Sequence, residues 1–182
     1  VIFTMKGAPV AASSESVAAA LRPDGAAVCQ QQIRLLGSSD KKVAECAART
    51  LKKIAEQDGA ALYAWRKPLL KEAFRATDVR VQWNLSIILG HLPLKGADKA
   101  LAVDLMFERL VDPSGLNRTM AMQALMDLSE DDAPLRSRVL PIVREALEDG
   151  TPAMQARARK LLAVRRSQSQ TRPYLSRRDP FA

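Results

Sequence analysis

Residue types that build many enzyme sites are scarce in this chain. Histidine occurs once, as His91, and cysteine twice, as Cys29 and Cys46. A lone histidine leaves no His/Cys metal cluster and no histidine beside a plausible nucleophile. The two thiols lack metal-ligand spacing and are too few for a disulfide framework, which points to a reducing compartment. No glycine-rich phosphate loop and no nucleophile elbow occur. We therefore expect no catalytic residues, no cofactor and no metal. Aromatic residues make up only 4% of the chain, whereas Ala and Leu abound, and that balance favours helix over sheet. No apolar run approaches the roughly 20 residues needed to cross a bilayer. The opening VIFTMKGAPVAASS has one lysine and no apolar block of the kind a signal peptide carries. These absences predict a cytoplasmic protein with no membrane partner, and we expect a monomer.

What is present suits one folded domain. The 182 residues are 47% hydrophobic and 26% charged, enough for a substantial core under a polar surface. The net charge of +8 is unevenly spread, because residues 165–182 hold five arginines against Asp179, about half of the excess. We divide the chain into an N-terminal segment with a short capping helix (1–23), a repeat domain (24–164) and a basic tail (165–182) without helical period, expected to be disordered.

The chain is organised around DVRVQWNLSIILGHL, residues 78–92. Val81, Leu85, Leu89 and Leu92 share one helical face, and Asp78 stands where an N-cap belongs. The same pattern recurs. Leu51, Leu89, Leu125 and Leu162 are separated by 38, 36 and 37 residues. Four positions before each lie Ala47, Leu85, Ala121 and Ala158; eleven before lie the capping residues Asp40, Asp78, Ser114 and Thr151; fifteen before lie Leu36, Phe74, Leu110 and Leu147. A period near 37 with two helices per unit predicts stacked helical hairpins. The helices are expected at about 14–21, 25–36 (closed by Gly37 at C′), 40–57, 60 or 67–76, 78–92, 97–110, 115–129, 133–148 and 152–164. Asp58-Gly59 breaks the chain, and Pro68 belongs in a first helical turn.

The stretches DKKVAECAARTL, DVRVQWNLSIIL, NRTMAMQALMDL and TPAMQARARKLL resemble HEAT repeats, in particular the short HEAT-like repeat proteins of bacteria. The resemblance covers about residues 24–164. It implies an all-α fold, an α-solenoid of about four helical hairpins in a right-handed superhelix, used as a binding scaffold. The third unit departs from the pattern, with Asn117 where Val43, Val81 and Met154 stand, which suggests a cap shifted by about a residue.

In such arrays the second helix of each hairpin lines the concave side. The face opposite Leu85 and Leu89 carries Arg80, Trp83, Asn84, Ile87 and His91. By the register, Arg49, Gln123, Arg157 and Lys160 join it from the other units. Trp83 beside Ile87, rimmed by polar side chains, has the make-up of a protein-binding hot spot; the alternative is that a tightly curved array packs both residues between units. Trp65 is expected to pack at a hairpin start. Two helices are basic, one through Lys41, Lys42, Arg49, Lys52 and Lys53, the other through Arg157, Arg159, Lys160, Arg165 and Arg166. Such charges either solvate a surface or grip phosphates or an acidic partner, with Asp127 and the acidic run Glu130–Asp132 interrupting a continuous basic groove. The reading is a non-enzymatic scaffold that binds another protein, the alternative being nucleic acid. A third reading is an alkylpurine DNA glycosylase, as some HEAT-like proteins are, with Trp83, Asp127 and Arg157 as the nearest candidates.

Overall fold

The structure is a computed structural model that describes residues 14–22 and 24–170, with side chains to residue 163. The described residues are helical and contain no strand. The helices are α1 (Ser14–Ala20), α2 (Ala26–Leu36), α3 (Lys41–Gln57), α4 (Arg66–Arg75), α5 (Val79–His91), α6 (Gly96–Arg109), α7 (Gly115–Leu128), α8 (Ala133–Glu148) and α9 (Pro152–Gln170). A 3-10 segment, Gly59–Trp65, links α3 to α4.

The four expected caps all form. Asp40 Oδ1 accepts from the Lys42 and Val43 amides at 2.8 and 3.4 Å. Asp78 Oδ1 accepts from Arg80 and Val81 at 2.8 and 3.3 Å. Ser114 Oγ and Thr151 Oγ1 accept from Asn117 and Met154, each at 3.4 Å. Each satisfies an amide that has no partner inside its own helix. The third cap is therefore not displaced by Asn117.

Two expectations about helix ends need correction. Gly37 closes α2 with φ −84°, an ordinary right-handed conformation, because its amide reaches the Arg34 and Leu35 carbonyls without a left-handed residue. Helix α9 runs on to Gln170, through residues expected to be disordered. The expectations for residues 1–13 and 171–182 lie outside the described residues.

Packing follows chain order. Pairs α2/α3, α4/α5, α6/α7 and α8/α9 form antiparallel hairpins, and the second helices pack successively as α3 on α5, α5 on α7 and α7 on α9. Among the first helices, α4 contacts α2 and α6. The register leucines Leu51, Leu89 and Leu125 are fully buried between these layers, whereas Leu162 in α9 is half-buried because no described helix follows it. Leu36, Phe74 and Leu147 occupy the last turns of the first helices and Leu110 caps the end of α6, yet only Leu36 is buried, and Phe74 is 49% exposed. Trp65 is half-buried against the core. Cys29 is buried and Cys46 half-buried, both as free thiols.

Close approach dictates two glycines. A Cβ on Gly90 of α5 would stand 3.1 Å from Ala124 Cα of α7, and one on Gly59 would stand 2.0 Å from the His91 carbonyl oxygen. The first lets α5 and α7 touch backbone to backbone; the second lets the 3-10 segment fold under the end of α5.

A buried cation joins three helices. Arg109, at the end of α6, is 6% exposed. Its Nη2 donates to the Ala73 carbonyl at 2.6 Å, and its Nη1 donates to the Gln82 carbonyl at 2.9 Å and to Ser86 Oγ at 2.7 Å. Ala73 lies in the last turn of α4, where carbonyls lack intrahelical partners and the helix dipole favours a cation. Burial pulls the guanidinium down to about 10, still far above neutrality, so it stays charged.

Candidate functional site

The second helices α3, α5, α7 and α9 carry every residue assigned to the partner-binding face. The structure divides those residues into three groups. The first is open: Arg49, Arg80, His91 and Lys160 are exposed. Arg49 and Arg80 both pair with Glu45, at 2.6 and 2.9 Å. Glu45 is well shielded, and it ties the starts of α3 and α5 together while neutralising part of their positive charge.

The second group is buried, which corrects the expectation of an open apolar pair. Ile87 is 9% exposed and Asn84 is 0% exposed. Asn84 Nδ2 donates to the Arg80 carbonyl at 2.6 Å, and its Oδ1 has no partner among the described residues. Helix α5 is packed between α3 and α7, and Gly90 admits α7 at backbone contact, so little of this helix is left open. Trp83 is half-buried, with Lys52 Nζ 5.4 Å from its ring centroid. A tryptophan edge under a lysine is therefore what remains of the expected hot spot.

The third group forms a polar chain across α7 and α9. Arg157 Nη1 donates to Gln123 Oε1 at 3.2 Å, and Gln123 Nε2 donates to Asp127 Oδ1 at 2.7 Å. All three side chains are half-buried. The other Asp127 oxygen, Oδ2, is shielded from solvent and has no hydrogen-bond partner. It lies 3.1 Å from where a Cβ on Gly90 would be. Burial raises the Asp127 pKa, and the Gln123 hydrogen bond and the His91 and Arg157 charges pull it back in part. Asp127, Gln123, Arg157 and His91 thus converge, although they come from three units of the sequence.

This geometry predicts a pH effect. A carboxyl whose folded pKa exceeds its unfolded value binds more protons when folded in the window between the two. Stability then falls as pH rises through that window, and above it the ionised group is a net cost. Asp127→Asn should therefore raise stability at neutral pH by about 1 kcal/mol. The gap should shrink below the ordinary carboxylate range. Thermal melts of both proteins across acidic to neutral pH check this; a variant that is less stable at every pH would refute it.

Sequence reasoning missed Arg109, Gln82 and Ser86, which form a second polar junction. Gln82 Nε2 donates to the Ala76 carbonyl at 2.8 Å, and Gln82 Oε1 accepts from Asn117 Nδ2 at 2.7 Å. Asn117, the departure from the repeat pattern, is thus a buried link between α7 and α5. The signal was a polar residue in an apolar column, but its partner sits in another column and unit.

Elsewhere, a groove of about 400 Å³ between α6 and the start of α8 is lined by Lys99, Val103, Asp104, Asp132, Leu135 and Arg138. The Lys99–Asp132 ion pair, at 2.9 Å, ties its two walls together. Lys99 and the Leu135 amide hold the Asp132 carboxyl below its usual range. No cluster of three or more His, Cys, Asp or Glu suited to a metal occurs among the described residues. No described helix is long and apolar enough to cross a membrane. Compared with protein-family models and with curated proteins, the chain finds no significant match.

Proposed function

We propose that the chain is a short HEAT-like α-solenoid, four hairpins in a right-handed superhelix, acting as a non-enzymatic cytoplasmic scaffold that binds another protein through its second helices. The observation that supports this reading is the continuous run of second helices, α3 on α5 on α7 on α9. Its solvent face combines Trp83 with the open cations Arg49, Arg80 and Lys160 and the exposed His91. A half-buried aromatic flanked by arginine and lysine suits a partner that presents an apolar side chain beside acidic groups.

The test is a nuclease-treated pull-down from native lysate with the full chain, comparing wild type with Trp83→Ala. A circular dichroism melt of the variant confirms that it still folds. A defined protein partner should bind about thirty-fold more weakly to the variant, the loss typical of a truncated aromatic hot spot. An unchanged set of bound proteins would remove Trp83 from the site.

Nucleic acid is the second reading, favoured only by the open cations, and it predicts binding that weakens steeply with salt. Base removal requires an ionised carboxylate open to a nucleotide. Asp127 Oδ2 is shielded beside Gly90 and its pKa is raised, so this geometry does not favour a glycosylase.

A further inference from the structure

The turns inside the four hairpins lie on one edge of the molecule. The cross-links from Arg80 to Glu45, near the starts of α5 and α3, and from Asn117 to Gln82, near the starts of α7 and α5, place the first three there, and Arg157 to Gln123 sets the first half of α9 beside α7 and brings the fourth into line. Four of the six most exposed large apolar side chains among the described residues stand at the two middle turns of this edge. They are Phe74 (49% exposed), Val79 (40%), Val111 (85%) and Leu116 (42%). The outer turns are charged with opposite sign. Exposed Arg34, Lys41 and Lys42 flank the first turn, and exposed Glu145, Glu148 and Asp149 flank the last. None of these six joins an ion pair among the described residues.

The charges are also placed against the helix dipoles. Lys41 and Lys42 occupy the first turn of α3, whose one acidic group is the capping Asp40, and Glu145 and Glu148 occupy the last turn of α8, just past Arg144. A helix start favours acidic groups and a helix end favours basic ones. Helix stability therefore does not account for either pair.

We infer that this edge is an isologous interface between two copies of the chain. A two-fold axis lying across the edge, between the second and third hairpins, sets each copy's first turn against the partner's fourth and its second against the partner's third. Lysines and arginine then meet glutamates and aspartate at both ends, and the four apolar side chains meet their counterparts at the centre. A pattern of positive, apolar and negative segments in that order is self-complementary under this rotation and under no head-to-tail shift that closes. Four hairpins, each about 10 Å across, by two helix layers give a face of about 40 by 20 Å, comparable with the ~800 Å² per partner that stable pairs bury. The expectation from the sequence was a monomer; the four turns are dispersed along the chain, and only their alignment creates the pattern.

Sedimentation velocity of the full chain tests this. Wild type should sediment as a dimer that dissociates as salt rises. Val111→Asp, at a site too exposed to affect folding, should weaken dimerisation at least tenfold. Lys41→Glu with Lys42→Glu should do the same by opposing like charges, and adding Glu145→Lys with Glu148→Lys to that protein should restore the dimer. Both exchanges agree with the helix dipoles, so loss of folding would not explain the result. A wild-type monomer at every concentration, with the edge left to a different protein, would overturn the proposal. So would a dimer indifferent to Val111→Asp or not restored by the double exchange.

Discussion

Arg109→Met should lower the stability of this protein by about 2–4 kcal/mol, with the melting temperature falling by roughly 10 °C. Two effects compete. Replacing a buried charge by an apolar side chain of similar length relieves desolvation, and such exchanges are sometimes neutral. The fall of the guanidinium pKa to about 10 reflects that cost, on the order of 3 kcal/mol. Against it stand three short hydrogen bonds from an ionised donor, each about 1.5–3 kcal/mol. Methionine also leaves the Ala73 carbonyl at the end of α4 without this donor, and the buried Ser86 hydroxyl without its cationic neighbour. Lost bonds and stranded groups together outweigh the relief. Arg109→Lys should recover only part of the loss, because one ammonium cannot span the fork-shaped arrangement that reaches α4 and α5 at once. Chemical denaturation of the three proteins decides the matter. Equal stability of wild type and Arg109→Met would mean that the junction only balances its own desolvation.

Leu89→Ala should cost about 2–5 kcal/mol. Leu89 is fully buried in α5, which packs on α3 on one side and α7 on the other. Truncation there opens a cavity that neither neighbour can collapse into, because Gly90 already holds α5 and α7 at backbone contact. Leu162→Ala occupies the same register position in the last unit, but its side chain is only half-buried. It should cost less than half as much, since the transfer free energy scales with the area removed from water. Circular dichroism melts of the two variants provide the comparison. Similar losses at both positions would show that the core does not weaken towards the end of α9.

These predictions rest on features that differed in how plainly the sequence carried them. The all-helical fold, the hairpin boundaries and the four caps at Asp40, Asp78, Ser114 and Thr151 were legible because they depend on local spacing. A capping oxygen reaches amides two or three residues ahead, and a leucine repeats on its own helix face. The end of α9 was not legible, since helical order continues through RRSQSQ without an apolar stripe. Of the face proposed to bind a partner, the open cations Arg49, Arg80 and Lys160 stand where the helical wheel put them. The burial of Asn84 and Ile87 could not be read from that wheel, which gives the direction of a side chain but not the distance to the next helix.

The sequence by itself determined which residues form helices, where those helices start, and which leucines face inward. Each of these follows from interactions within about one helical turn. The tertiary structure alone decided what lies between helices: that Gly90 brings α5 against α7, that Arg109 finds the end of α4, and that Arg157 meets Gln123. It also decided that four separate turns align into one edge with an ordered charge pattern. Such contacts join residues some thirty positions apart or more, and their energies depend on interhelical distances that no local pattern encodes.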